Sequence, residues 1–432
     1  MNKIKYMFQG LHSFLLLWST QALSSLGSGM TSYALVIWSY QAKGSALTTA
    51  LLSVCTYAPY VVLSIFAGAL SDKWNKKHTM LLCDSLAAAS TLAVFLLLRT
   101  GHLEIWHLYV LNAFNGLMNT LQQPASDVAV SLLTPKEQYQ RVGGMRSFSN
   151  SLVTVLTPVI ATAILSLYSL TAVIVIDFIT FAIAFLTLAF LIRIPPVPGS
   201  IAAGKASILS SAREGIGYLK KNRGILDMIV FLAAINLTAS MYNAALPAML
   251  LSREGGGRTA LGLVNACTGL ANLAGSAAVS LCPAPKSRVR AICNSLLFSM
   301  STENFLLAFG QNLPVWCTGA VLGWLFIPVM SANMDVLFRS HIPLEMQGRV
   351  YSVRNTLQFF TIPVGYLLGG LLVDKVFEPL MEGLCQGHIL HLLFGSGKGS
   401  GAAVLFLLLG ILGTGTCLIF RRDRHLWMLE QK

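Results

Sequence analysis

Five carboxylates fall inside stretches that are otherwise apolar enough to cross a bilayer: Asp84, Asp127, Asp177, Glu303 and Asp335. An ionisable group in hydrocarbon is costly, so one that stays there either finds a partner or has a task. The task open to a carboxyl is to bind and release a proton as its surroundings alternate between dry and wet, because desolvation penalises the charged form. Asp127 and Asp335 differ from the other three in belonging to a repeat. Asp127-Val128, Pro135, Glu137, Arg141-Val142 and Arg146 recur as Asp335-Val336, Pro343, Glu345, Arg349-Val350 and Arg354, every pair 208 residues apart in a chain of 432. An offset near half the length means the protein was built twice. The repeated acids and arginines, Asp127, Glu137, Arg141 and Arg146 with Asp335, Glu345, Arg349 and Arg354, read as a two-fold charged gate whose members pair when that end closes. Asp84, Asp177 and Glu303 have no acidic counterpart at the offset and are the candidates for proton coupling.

Uncharged polar residues in the same stretches form stripes. Asn112, Asn115, Asn119 and Gln122 follow i, i+3, i+7 and i+10, one face of a helix. Gln21, Ser24, Ser25 and Ser28 share a face, as do Asn236, Ser240 and Asn243. A single such residue is as well explained by a hydrogen bond to a neighbouring helix. As sets the stripes point to a cavity, with Trp18, Tyr242 and Trp324 offering apolar surface to a bulky ligand.

The elements that position these residues follow from composition. Hydrophobic residues make up 55% of the chain and charged residues 11%, with a mean hydropathy of +0.67, which excludes an ordinary soluble domain. About 20 apolar residues span the hydrocarbon as a helix. Such segments lie near 12–40, 46–70, 79–99, 105–133, 145–168 and 170–192, then near 225–251, 259–282, 290–310, 314–338, 350–373 and 402–420. The repeated block falls between the fourth and fifth member of each set. The predicted architecture is therefore an all-α polytopic membrane protein of twelve transmembrane helices in two parallel-repeat six-helix bundles, 1–192 and 225–432, joined by a linker at 193–224.

The net charge of +13 does not mark a nucleic-acid surface, because Lys and Arg crowd into alternate loops. By the positive-inside rule the crowded side, which includes both termini and the linker, is cytoplasmic. Arg193-Ile194-Pro195-Pro196 stops a helix. The following 211–223 stretch suits either a short amphipathic helix on the inner leaflet or a solvated basic linker. The eight cysteines lie mostly within spans and imply no disulfide framework. In the loop 374–401, His388 and His391 are spaced like metal ligands but lack a third, and the glycine-rich 395–401 run lacks the strand and the Ser or Thr of a phosphate loop. No cofactor and no metal are predicted.

Between the second and third spans stands Gly68-Ala69-Leu70-Ser71-Asp72-Lys73-Trp74-Asn75-Lys76-Lys77. It resembles the signature loop of the major facilitator superfamily. Pro59 and the run Gln21-Ala22-Leu23-Ser24-Ser25-Leu26-Gly27-Ser28 are similar to the drug-exporter branch that includes macrolide efflux proteins and the enterobactin exporter. The resemblance runs along the whole chain and is more specific for fold than for cargo. It implies that Gly68, Asp72, Lys73, Lys76 and Lys77 form a cytoplasmic latch, with Asp72 against the start of the eleventh helix, where an N-terminal dipole favours an anion. Asn75 replaces a family glycine and is expected to loosen the turn geometry without abolishing the latch, since Asn also tolerates a left-handed turn. The equivalent second-half loop has no acid, so the latch reads as one-sided. The family also implies that spans one, four, seven and ten line the cavity. That assigns cargo contact to Gln21, Ser25, Ser28, Asn112, Asn115, Asn119, Gln122, Asn236, Ser240, Asn243 and Trp324. The third helices, which carry Asp84, Asp177 and Glu303, are family scaffold. The fifth span keeps Pro158 of the antiport motif without its glycines.

The expected function is secondary export of amphipathic, drug-like or macrolide-like molecules by proton antiport and alternating access, with no enzyme activity. Export of an endogenous metabolite or siderophore, an uncoupled facilitator, and a membrane sensor or partner protein that does not transport are the alternatives. Expected partners are small-molecule cargo, protons and the lipid bilayer of the cell membrane, with no nucleic acid and a monomeric chain.

Overall fold

The computed structural model describes residues 11–135, 138–195, 208–385 and 388–430; within these, the side chains of 64–73, 139–141, 208–212, 280, 344–345, 347–349 and 352 lie outside the description. Every regular element among the described residues is a helix. The first six spans are α1 (His12–Lys43), α2 (Ala46–Lys73), α3 (Lys76–Arg99), α4 (Ile105–Leu132), α5 (Tyr139–Leu167) and α6 (Leu170–Leu186), the last continued by a π turn, Thr187–Leu191. After α7 (Ile208–Lys221) come α8 (Arg223–Ser252), α9 (Arg258–Leu281) and α10 (Arg288–Phe309). The tenth span is α11 (Leu313–Leu325) with α12 (Ile327–His341), and the eleventh is α13 (Leu344–Phe359) with α14 (Thr361–Leu372) and a π turn, Val373–Phe377. Short α15 (Glu378–Glu382) and α16 (Ile389–Phe394) precede α17 (Ser400–Arg421) and α18 (Arg424–Met428). The chain is an all-α, multi-pass membrane protein. Among the described residues nine segments are long and apolar enough to cross a membrane. The other three, α1, α4 and α10, match them in length at 32, 28 and 22 residues but carry the polar stripes or Glu303.

Two spans predicted as continuous are broken. Pro328 has no N–H for the carbonyl of Trp324, four residues earlier, and the tenth span turns at Phe326 (φ −98°, ψ −2°). Pro363 does the same to Phe359, and the eleventh span is interrupted at Phe360. By contrast Pro59, Pro124, Pro158 and Pro247 sit inside uninterrupted helices.

The chain divides into two compact units, Met1–Leu35 with Cys55–Lys205, and Val36–Val54 with Ala206–Lys432. In the first, Leu17, Met80, Ala125, Ala129, Leu188 and Ile192 bring α1, α3, α4 and the end of α6 into one buried cluster. The indole N–H of Trp18 donates to the Met145 carbonyl and to Ser149 Oγ, both at 3.1 Å, so this aromatic ties α1 to α5. Asn75 has φ −65°, outside the left-handed region. Its side chain accepts from the N–H groups of Lys77 (3.0 Å) and His78 (3.2 Å) and so caps α3. Lys77 Nζ donates to the carbonyls of Ala189 and Ile192, each at 2.8 Å, closing the end of α6.

In the second unit a larger core joins α8, α10, α12, α13 and α17, with Phe231 stacked on Phe420 at 4.9 Å. The linker helix α7 belongs to this unit, so the linker does form a short helix, and part of its apolar face packs on protein. Leu219 is fully buried in the core, Ile216 is exposed, and the Tyr218 hydroxyl donates to the His341 carbonyl at 2.8 Å. Burying a Leu in this way is worth roughly 1.5–3 kcal/mol. The second half's loop before α10 carries no acid of its own, but one reaches it from the C-terminal end. Glu430, 142 residues away in sequence from Arg288, accepts from Ser287 Oγ (2.8 Å) and from the Val289 N–H (2.6 Å).

Candidate functional site

Glu303 lies on α10, 4% exposed, where helices α8, α10 and α11 converge. Trp324 Nε1 donates to its Oε1 at 3.0 Å. The buried Tyr242 hydroxyl interacts with the same carboxyl and has no other partner among the described residues. Gly323 is why the carboxyl fits: a Cβ there would fall on the Glu303 carboxyl and within 2.6 Å of its Cβ. No Lys, Arg or His approaches within ion-pair distance among the described residues. The three residues came from two separate sequence readings, two as cavity aromatics and one as a coupling acid; the fold joins them. The tenth span breaks two residues past Trp324, so the backbone is irregular beside the carboxyl.

In the first unit the other two unmatched acids are held by α1. Asp84 on α3 accepts from Gln122 Nε2 at 2.6 Å and from Gln21 Nε2 at 3.5 Å. Asp177 on α6 accepts from Ser28 Oγ at 3.0 Å, and Gly27 lets α1 lie against Asp177 Cα and Thr180. Asp177 and Glu303, both buried, and the half-buried Asp84 thus carry neutral donors only among the described residues, a setting in which a proton can be gained or lost without breaking an ion pair.

This placement divides the cargo candidates. Gln21, Ser28, Gln122 and Trp324 are engaged with carboxyls, Asn236 Nδ2 donates to the Gln358 carbonyl at 3.3 Å, and Ser240 is buried against Gly365. Asn112 and Asn115 are half-buried, the latter with an unsatisfied Oδ1. Ser25, Asn119 and Asn243 are exposed. Gly365 and Gly369 press the eleventh span onto α8 at Leu237 and Met241, as close packing through small residues requires.

The repeat is conserved in position but not in detail. Arg146 pairs with Asp127 at 2.6 Å in the first unit. In the second, Arg354 lies over Phe338 at 4.5 Å and donates to Gln358 Oε1 at 3.2 Å, with Asp335 attracting it from beyond contact. The side chains of Arg141, Glu345 and Arg349, and all of Glu137, lie outside the described residues, as do the side chains of the latch members Gly68, Asp72 and Lys73 at the end of α2. Of that latch, Lys76 is buried and bonds the Trp74 carbonyl at 3.2 Å. Since Arg146 and Asp127 are 37% and 50% exposed, Arg146→Ala is expected to shift thermal stability by no more than about 1 kcal/mol. A loss well above that in a detergent melt would mean the pair holds the fold.

Sequence reasoning missed the acids that cap helices of distant sequence. Asp374 accepts from Ser45 Oγ (2.5 Å) and from the N–H groups of Ala46 and Leu47 (2.9 Å each). Glu378 accepts from Gly399 N–H at 3.0 Å and Ala402 N–H at 3.3 Å. Arg253, buried beside Trp316, donates to the Phe394 carbonyl and holds the loop that carries His388. Each of these acids stands at a helix end, which is visible in sequence; its partner is not. Near the C-terminus His425 Nδ1 lies 2.9 Å from Asp227 Oδ2, and Asp423 is the third member of that cluster.

Membrane-length helices in two sets, intramembrane carboxyls bonded by neutral donors, and polar stripes are the marks of a polytopic membrane protein. The family model described as Major Facilitator Superfamily matches residues 17–283, and the chain belongs to that superfamily. It is 24% identical over 366 residues to macrolide efflux protein A of Streptococcus pyogenes, covering 84% of this chain and 90% of the relative. It is 24% identical over 359 residues to the multidrug efflux pump Tap of Mycolicibacterium fortuitum, covering 81% and 86%. Among solved structures, a variant of the nucleoside transporter NupG aligns with a TM-score of 0.71 at 12% identity over 95% of this chain and 99% of that one. A bacterial homologue of the iron transporter ferroportin in an inward-facing state aligns at 0.64 and 16% identity, over 94% and 99%. These structural likenesses carry the fold alone.

Proposed function

We propose that this superfamily member is a proton-coupled exporter of amphipathic small molecules, working by alternating access, with both termini cytoplasmic. The observation that carries the reading is Glu303, a carboxyl buried without a cation and bonded to Trp324 on one cavity helix and facing Tyr242 on another. Trp324 thus joins an acid that can exchange a proton to a ring that can meet cargo, so protonation and cargo occupancy are linked through one hydrogen bond. The similarity to macrolide and multidrug efflux proteins supports the cargo class, and Ser25, Asn119 and Asn243 are the exposed polar groups available to it.

The test is uptake of a macrolide into proteoliposomes loaded with an acidic interior, where an inside-out protein exchanges internal protons for external cargo. Uptake that collapses when an ionophore dissipates the gradient is the expected result. Uptake indifferent to the gradient would point to a facilitator, and none for any cargo to a sensor or partner protein. Asn243→Ala is expected to change the relative rates among cargoes several-fold while leaving gradient dependence in place, because one missing hydrogen bond is worth about 0.5–1.5 kcal/mol.

A further inference from the structure

The hairpin Val36–Val54 is part of the first repeat by sequence, yet it packs within the second unit. What holds it there is polar and specific. Asp374, at the end of the eleventh span, places both carboxylate oxygens on the start of α2: Oδ1 on the Ala46 N–H, Oδ2 on the Leu47 N–H and on Ser45 Oγ. The opening N–H groups of a helix have no partner inside it, and the N-terminal dipole adds to the attraction for an anion. Ser45 Oγ also accepts from the Thr48 N–H at 3.1 Å. Around this contact Gly370 lets the eleventh span reach Leu47 Cα and Ala50. Tyr40 Oη shares a 2.5 Å hydrogen bond with Ser252 Oγ, and Arg258 donates to Gln41 Oε1 at 2.6 Å.

We propose that Asp374 is a reversible clasp, made when the non-cytoplasmic side is closed and broken when it opens. The inference rests on the alternating-access reading above. Its logic is reciprocal. The resemblance to the superfamily implies a latch in which Asp72, at the end of the second span, stands against the start of the eleventh. Here the acid at the end of the eleventh span, Asp374, caps the start of the second. With that implied latch, the Asp374 contact gives the same two helices an acid-on-N-terminus pairing at each end. In a protein that opens one side at a time, one contact must release as the other forms.

The experiment is hydrogen–deuterium exchange on the full chain in nanodiscs, comparing the natural protein with Asp374→Asn and Asp374→Glu. Asp374→Asn removes the charge and one acceptor. Exchange at the amides of Ala46 and Leu47 is expected to rise roughly tenfold or more, the worth of hydrogen bonds to a charged group. At the same time the first turns of α13, on the opposite side, are expected to become more protected. Asp374→Glu, which keeps the charge, is expected to stay close to the natural pattern. Exchange that rises only locally, or rises at both ends, would reduce Asp374 to a static cap and overturn the clasp, as would no change at Ala46 and Leu47. The readout needs no cargo, so opposite-signed changes support the clasp even where macrolide uptake fails. Loss of the exporter reading would thus be seen separately. A thermal melt of Asp374→Asn within a few degrees of the natural protein confirms that the comparison is between folded chains.

Discussion

Glu303→Gln is expected to abolish gradient-driven uptake while sparing cargo binding. The amide is nearly isosteric, so it still fits against Gly323 and still accepts from Trp324 Nε1 at the position where the carboxyl now lies 3.0 Å away. What it cannot do is take up or release a proton. Gradient-driven transport should fall at least tenfold, and the residual rate should lose its dependence on pH between the two sides. Binding of cargo, followed by quenching of Trp324 fluorescence against a Trp324→Phe control, should stay within a few-fold. If Glu303→Gln keeps its pH dependence, Asp84 or Asp177 becomes the carrier, and their amide variants separate them. If it loses binding as well as coupling, the carboxyl is a structural tie between α8, α10 and α11. Gly323→Ala is a useful companion, because its added Cβ would push on the same carboxyl from the helix that carries Trp324.

Gly116→Val is expected to be the most damaging single change in the first unit. At Gly116 of α4 a Cβ would overlap the carbonyl oxygen of Thr56 on α2 and lie 2.9 Å from the carbonyl carbon and 3.1 Å from Cα. All three neighbours are backbone, so no side chain can turn aside and the helices themselves must separate. Overpacking of a tight contact costs about 1–3 kcal/mol, and this backbone contact belongs at the upper end. Within a bilayer the loss is not offset by hydrophobic repacking, since lipid is as apolar as the displaced neighbour. The check is the melting temperature and monodispersity of purified protein. Gly217→Ala in α7, where an added Cβ meets nothing within 4 Å, is the control and is expected to be neutral or to stabilise by up to about 1 kcal/mol. Equal behaviour of the two variants would sink the packing argument.

Much of the fold was legible because the bilayer imposes a strict code. Apolar length locates spans, and the 208-residue repeat marks corresponding positions in the two sets. The breaks at Phe326 and Phe360 were hidden by the same code, since mean hydropathy does not register a proline. The site was legible one residue at a time. Glu303, Trp324 and Tyr242 each stood out by type, but their meeting depends on where three helices touch. The polar stripe of α1 shows another case: Gln21 and Ser28, expected to line a cavity, also serve Asp84 and Asp177, because a carboxyl among apolar helices recruits the nearest donor. Asp374, Glu378 and Glu430 were invisible in their role, as helix capping across 21 to 329 residues leaves no local pattern.

The two bonds from α1 have a mechanical consequence. Gln21 and Ser28 are seven residues apart, about two helical turns, and so face the same way roughly 10 Å apart along one rod. A rotation of α1 by a single residue step, about 100°, would carry both donors off their acids together. Asp84 and Asp177 sit on different helices with no direct bond between them, yet each would lose its donor from α1 in one stroke, Asp84 keeping Gln122 of α4, as two valves turned by a single camshaft.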